Sequence, residues 1–192
     1  MLDNIGNLTG TKPYIRVGGN TQDYAIYNQS QIEGVIGIYQ HPLDDYPTTV
    51  TIGPAFFESY QTWPNTKFIH GFNLKAAGTT YGANSLALSA GVACKALSNE
   101  NLLWWEYGNE PDRYIDSESA YISRWLNGTR LINSSIAEAC PSMAESPNYG
   151  WIAPSLSSTG GNVNPSIFDN GLDIDKDIKL MSMHLYVASK VF

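Results

Sequence analysis

The chain has 192 residues, 43% of them hydrophobic and 15% charged, with five Trp and twelve Tyr. That length suits one domain, and that composition excludes an unfolded chain. A formal net charge of -7, with eleven basic residues against eighteen acidic ones and no Lys/Arg run, argues against a nucleic-acid partner; no apolar stretch approaches the roughly 20 residues of a membrane helix, so no membrane partner is expected.

Five segments read as short apolar strands: residues 14–19, 67–74, 102–107, 151–156 and 180–186. None alternates cleanly between apolar and polar residues, the pattern of strands covered on both faces in a parallel sheet. Residues 24–52 form a long excursion after the first strand, punctuated by Gly34, Gly37, Pro42 and Pro47. A connection of that length carries its own small structure or a binding loop. Residues 53–63 suggest a short helix stopped by Pro64, and residues 83–97 a helix of small and apolar residues suited to close packing on a sheet. From Ser117, the residues Tyr121, Trp125, Ile132 and Ile136 recur at helical spacing until Pro141 ends the run. Residues 169–179 allow at most a short helix.

The strand starts fall roughly 30 to 50 residues apart, around the spacing of a (β/α)8 barrel of about 250 residues. A doubly wound open sheet has similar spacing, but Val17-Gly18-Gly19-Asn20 lacks the third glycine of a phosphate-binding turn. The fold class is therefore α/β, a partial (β/α)8 TIM barrel of parallel strands with flanking helices.

The sharpest chemical signal is Trp104-Trp105-Glu106-Tyr107-Gly108-Asn109-Glu110-Pro111-Asp112. An apolar strand runs into Gly-Asn-Glu-Pro, and the proline ends it because it cannot donate to the ladder. Glu110 is thus held at the carboxyl end of a strand, where barrel enzymes keep their catalytic groups. Against Trp104 and Trp105, desolvation would disfavour its charged form, as a general acid needs. Asn109 offers a donor and an acceptor to a polyhydroxylated ligand.

The stretch Trp105-Glu106-Tyr107-Gly108-Asn109-Glu110-Pro111-Asp112 resembles the fourth-strand motif of heparanase and the related β-glucuronidases, family 79 of the glycoside hydrolases. Arg16-Val17-Gly18-Gly19 resembles the family's second strand, Phe72-Asn73-Leu74 its third, and Met183-His184-Leu185-Tyr186 its sixth. The resemblance implies a barrel that hydrolyses glycosides with retention, using two carboxylates about 5–5.5 Å apart. It makes Glu110 the acid/base catalyst, gives Asn109 the contact to the sugar 2-hydroxyl, and lines the site with Tyr186 and His184, with Asn73 and Asn20 as further sugar contacts. A glycan or glucuronide is then the substrate.

The family's nucleophilic Glu belongs to the seventh strand, and no carboxylate of this chain has a matching context. The expectation is a fragment, residues 1–192 carrying strands two to six of the barrel without the first, seventh and eighth strands or the accompanying β-sandwich, and without turnover on its own. Asp23, Asp44, Asp45 and Asp112 read as solvated loop residues, with Asp44 or Asp45 able to reach a sugar from the excursion. Two other readings stay open: a non-catalytic carbohydrate-binding relative, and another Asn-Glu-Pro barrel glycosidase such as an arabinofuranosidase.

Arg16 and Glu106 are charges inside apolar strands, where an unpaired charge costs several kcal/mol; they either pair inside the barrel or lie in water near strand ends. Cys94 and Cys140, each near the end of a predicted helix, are either bridged or buried as thiols. His41, His70 and His184 have no metal-ligand spacing, with His70 reading as a core residue, and no metal or organic cofactor is indicated. No leader is visible at the start, yet the low charge, the even cysteine count and the glycosylation patterns at Asn7, Asn28, Asn127 and Asn133 favour a secreted protein.

Overall fold

A computed structural model describes residues 1–185. Its main sheet is parallel throughout, in the order β1-β5-β6-β7-β8, formed by β1 (Ile15–Val17), β5 (Phe68–Phe72), β6 (Leu102–Tyr107), β7 (Trp151–Leu156) and β8 (Ile178–Met183). Helices α3 (Thr80–Ala96) and α4 (Glu118–Ala139) return the chain between β5, β6 and β7 and pack against each other on one face. Five parallel strands with flanking helices fit part of a (β/α)8 barrel. The two long helices start where a hydroxyl can take an orphan amide: Thr79 accepts from Gly82 N at 3.0 Å and Ser117 from Ala120 N at 3.3 Å.

The excursion folds into a second sheet, with β4 (Thr49–Ile52) parallel to β2 (Ala25–Tyr27) and antiparallel to β3 (Val35–Ile38). Gly53 then leads into α2 (Pro54–Glu58) and a 3-10 turn, Ser59–Thr62. Helices α1 (Leu2–Thr9), which buries none of its residues, and α5 (Pro141–Ala144) complete the α-helices among the described residues. The last strand begins and ends earlier than its apolar run suggests, because pairing of Trp151 with Ile178 sets its start. Residues 169–179 form no α-helix: Gly171 and Lys176 both have positive φ, which interrupts helical geometry.

The core lies between the main sheet and the helices because successive side chains of a strand face opposite ways. Phe68, His70, Phe72, Trp105, Tyr107, Trp151 and Ala153 turn towards α3 and α4, where Ala90 and Ala93 let the backbone come close and Trp125, Ile132 and Ile136 fill the space. Gly128 on α4 lies directly against the Tyr107 ring, which leaves no room for a Cβ. Cys94 and Cys140 form a disulfide that joins the C-terminal ends of α3 and α4. His70 is fully buried with its Nδ1 2.6 Å from the Tyr60 hydroxyl, edged by the rings of Phe57, Phe72 and Trp105.

Two measurements check this packing. Replacing both cysteines with serine removes a cross-link across 46 residues and lowers unfolding stability in urea by about 4 kcal/mol on the chain-entropy account. Burial holds His70 neutral, with its pKa lowered from 6.5 to about 3. Its contribution is complete above the unfolded value and is lost as pH falls from 6.5 towards 3, by up to about 1.4 kcal/mol per pH unit. Acid unfolding curves of His70→Asn are therefore flatter than those of the unaltered chain over that range.

Candidate active site

The opposite face of the main sheet carries a polar network around Glu106. Glu106, at 1% exposure, points away from the core between Arg16 of β1 and Ser155 of β7. The Arg16 Nε donates to Glu106 Oε2 at 2.8 Å and Oε1 at 3.1 Å, and the Ser155 hydroxyl donates to Oε1 at 2.5 Å. Ser182 of β8 stands 2.7 Å from the Ser155 hydroxyl. The pairing that the two in-strand charges suggested is thus what the fold builds. Arg16 then reaches on, its Nη2 donating to Asn109 Oδ1 at 2.9 Å. Since guanidinium has no acceptor, this bond fixes which way the Asn109 amide is turned. Its Nδ2 donates to Asn20 Oδ1 at 3.0 Å at the rim.

The chain leaves β6 through Gly108, whose φ of 89° suits glycine and whose missing side chain clears Leu74. Glu110 itself has φ 47° and ψ 53°, the left-handed region that non-glycine residues seldom occupy. The Ser155 carbonyl, from a second left-handed residue with φ 54°, accepts the Glu110 N–H at 3.0 Å and locks this turn to β7. The Glu110 side chain is buried. Its Oε1 lies 2.8 Å from His184 Nδ1, and its Oε2 lies 2.5 Å from the Nε of Arg113, a residue whose own side chain is 61% exposed. His184 is held by its own N–H, which donates to the Leu156 carbonyl at 2.8 Å.

Glu110, Asn109, His184 and Asn20 therefore lie together beyond the carboxyl ends of β1, β6 and β8. Asn73 is committed to the backbone by one bond at each amide atom: its Nδ2 donates to the Ala25 carbonyl at 2.9 Å and its Oδ1 accepts from Ala76 N at 2.9 Å. It secures the turn after β5 and tethers the second sheet. Tyr186 lies outside the described residues. The tryptophans expected around Glu110 are elsewhere, because Trp105 faces the helices and Trp104 lies towards the amino-terminal end of β6, lining a groove of about 650 Å³ with Lys67 and Lys179.

Of the loop carboxylates, Asp23 and Asp112 depart from the solvated role expected of them, while Asp45 is exposed and Asp44 is partly so. Asp23 is buried at 6% exposure in the 3-10 helix Asn20–Tyr24. Its Oδ1 accepts from the Tyr114 hydroxyl at 3.1 Å and from the Asn109 N–H at 3.4 Å. Only the fold could reveal this, since Tyr114 and Asn109 are distant in sequence and Asp23 follows an apparent turn. Asp112 is tied to Ser157 N and Oγ, and Asp44 to the backbone N–H of His41 within the excursion.

No family model matches the chain. It is 47% identical to a β-glucuronidase of Neurospora crassa and 44% identical to a β-glucuronidase of Aspergillus niger, in each case over 98% of this chain and 36% of the relative. The chain thus spans little more than a third of the curated relatives it matches. A 4-O-α-L-rhamnosyl-β-D-glucuronidase of Fusarium oxysporum, solved with Rha-GlcA, has a similar fold, with a TM-score of 0.70 at 23% identity over 96% of this chain and 39% of that one. The resemblance to β-glucuronidases drawn from four motifs holds along the chain.

Arg16→Ala leaves the Glu106 carboxylate buried without its cation and Asn109 without the donor that orients it. Breaking a buried pair costs about 3–5 kcal/mol, and the partial exposure of Arg16 sets the expected loss near the lower end. Urea unfolding of Arg16→Ala beside Arg16→Lys, which carries the charge but not the forked reach, measures it.

Proposed function

We propose that residues 1–192 form part of the barrel of a retaining β-glucuronidase of glycoside hydrolase family 79, with Glu110 as its acid/base catalyst. The placement of Glu110 carries this reading: a buried carboxylate at the carboxyl end of a barrel strand, on a strained backbone and beside an amide of fixed orientation. The β-glucuronidase relatives support a glucuronide substrate.

In the first half-reaction, Glu110 delivers a proton to the glycosidic oxygen as the bond from that oxygen to the anomeric carbon breaks. The second carboxylate of the mechanism bonds the anomeric carbon as the leaving group departs. In the second half-reaction Glu110 takes a proton from the water that attacks that carbon and breaks its bond to the second carboxylate. His184 Nδ1 at Oε1 fixes the carboxyl rotation. Arg113 meets Oε2 from an exposed position, and the leaving-group oxygen replaces it there when a substrate binds. The Asn109 Nδ2, turned outward by Arg16, donates to the sugar 2-hydroxyl, a bond that strengthens as the oxocarbenium-like state forms. Retention needs a second carboxylate about 5–5.5 Å away, and that role is assigned to none of the described residues.

A secreted location accompanies this reading. The Cys94–Cys140 disulfide belongs to an oxidising compartment, and Asn7, Asn28 and Asn127 are exposed.

The test is Glu110→Gln in the whole polypeptide that carries this chain. The value of kcat/KM on an alkyl glucuronide falls by about 10²–10⁴, and by less on a 4-nitrophenyl glucuronide, whose leaving group needs little protonation. An equal loss on both substrates removes Glu110 from the acid role. Glucuronide binding without turnover in the unaltered polypeptide favours a carbohydrate-binding protein instead.

A further inference from the structure

The mechanism above uses Asn109 and Glu110 but leaves a buried acid beside them without a task. Asp23 sits in the 3-10 helix after β1, and a single one of its oxygens accepts both the Asn109 backbone N–H and the Tyr114 hydroxyl. The charged and titratable groups that face it come from separate elements: Lys75 from the loop after β5, Glu106 from β6, and the neutral Tyr114 from the loop after the 3-10 turn Pro111–Arg113. Lys75 is itself placed by aromatic rings, its Nζ 4.6 Å from the Tyr24 ring centre and 5.6 Å from that of Tyr114.

We infer that Asp23 is a positioning residue for the Asn109 amide: its carboxylate form grips the Asn109 N–H and the Tyr114 hydroxyl together, and proton uptake by Asp23 loosens that grip. This rests on the sugar-binding role proposed for Asn109. The geometry requires a trade. Charge-assisted hydrogen bonds are roughly twice as strong as neutral ones, and a protonated carboxyl has one oxygen that must donate. Burial opposes the charged form and raises the Asp23 pKa from 3.8 to about 7, against the bonds from Tyr114 and Asn109 and the charge of Lys75, all of which lower it, while Glu106 pushes it further up. The two forms therefore exchange near neutral pH. An anchor with a purely structural role needs no titration, and an asparagine with its amide oxygen in the same place serves equally well.

Amide NMR of the whole polypeptide that carries this chain, recorded across pH without substrate, tests this without turnover, so its failure is distinct from failure of the glycosidase reading. The Asn109 amide shift follows a midpoint near 7. Asp23→Asn, which keeps an acceptor but cannot titrate, abolishes that midpoint. Tyr114→Phe, which removes a bond that favours the carboxylate, moves it upward. A midpoint that persists in Asp23→Asn, or that stays in place in Tyr114→Phe, overturns the inference. In the whole polypeptide, kcat/KM on a glucuronide falls about five- to tenfold below this midpoint, and this acidic limb is absent from Asp23→Asn. A merely structural role lowers activity equally at every pH, and that result also overturns it.

Discussion

Glu106 holds a charge inside a parallel sheet at 1% exposure, and the rest of the site is arranged around keeping it there. A lone carboxylate at that depth costs several kcal/mol, and Arg16 together with the Ser155 hydroxyl offsets the cost by direct hydrogen bonds. The bonds run in a chain: Ser182 to Ser155, Ser155 to Glu106, Glu106 to Arg16, Arg16 to Asn109, Asn109 to Asn20. A structural ion pair thereby becomes the device that orients a ligand-facing amide. Every strand from which that chain takes a member contributes a residue from the face turned away from the helices.

In β1 and β6 that division of labour follows from the twofold alternation of a strand, whereas register shifts between β7 and β8 bring Ser155 and Ser182 to the polar network. In β6, Trp105 and Tyr107 face the helices while Glu106 faces the polar network. In β1, Ile15 and Val17 pack towards the core while Arg16 points the other way. The apolar face contributes the area that stabilises the fold. The polar face contributes hydrogen bonds that are all mutually dependent, so loss of one partner leaves others unsatisfied.

The backbone at the site is strained where the side chains matter most. Glu110 and Ser155 are both non-glycine residues with positive φ, and they meet through the Glu110 N–H and the Ser155 carbonyl. Such conformations cost of order 1–3 kcal/mol each and persist where surrounding structure enforces them. Here the enforcement is the β6–β7 pairing on one side and the aromatic core under Tyr107 and Trp151 on the other. The result places a buried carboxylate between His184 and Arg113, two side chains that reach it from different segments.

The sequence alone carried the strand and helix plan of the main sheet and its long helices, though not the three strands of the second sheet or α1, because long apolar runs and breakers such as Pro64 and Pro141 act locally. Residues 102–107 and 151–156 form strands where their apolar runs lie, and Glu110 follows its strand by chain geometry alone. What the tertiary structure decided is every relation between segments: that Asn73 spends its amide on backbone, that Trp105 turns from Glu110, that Cys94 meets Cys140, and that Asp23 lies under Tyr114. A side chain's burial and partners depend on which distant strand or helix packs against it, and no local pattern of residues encodes that choice.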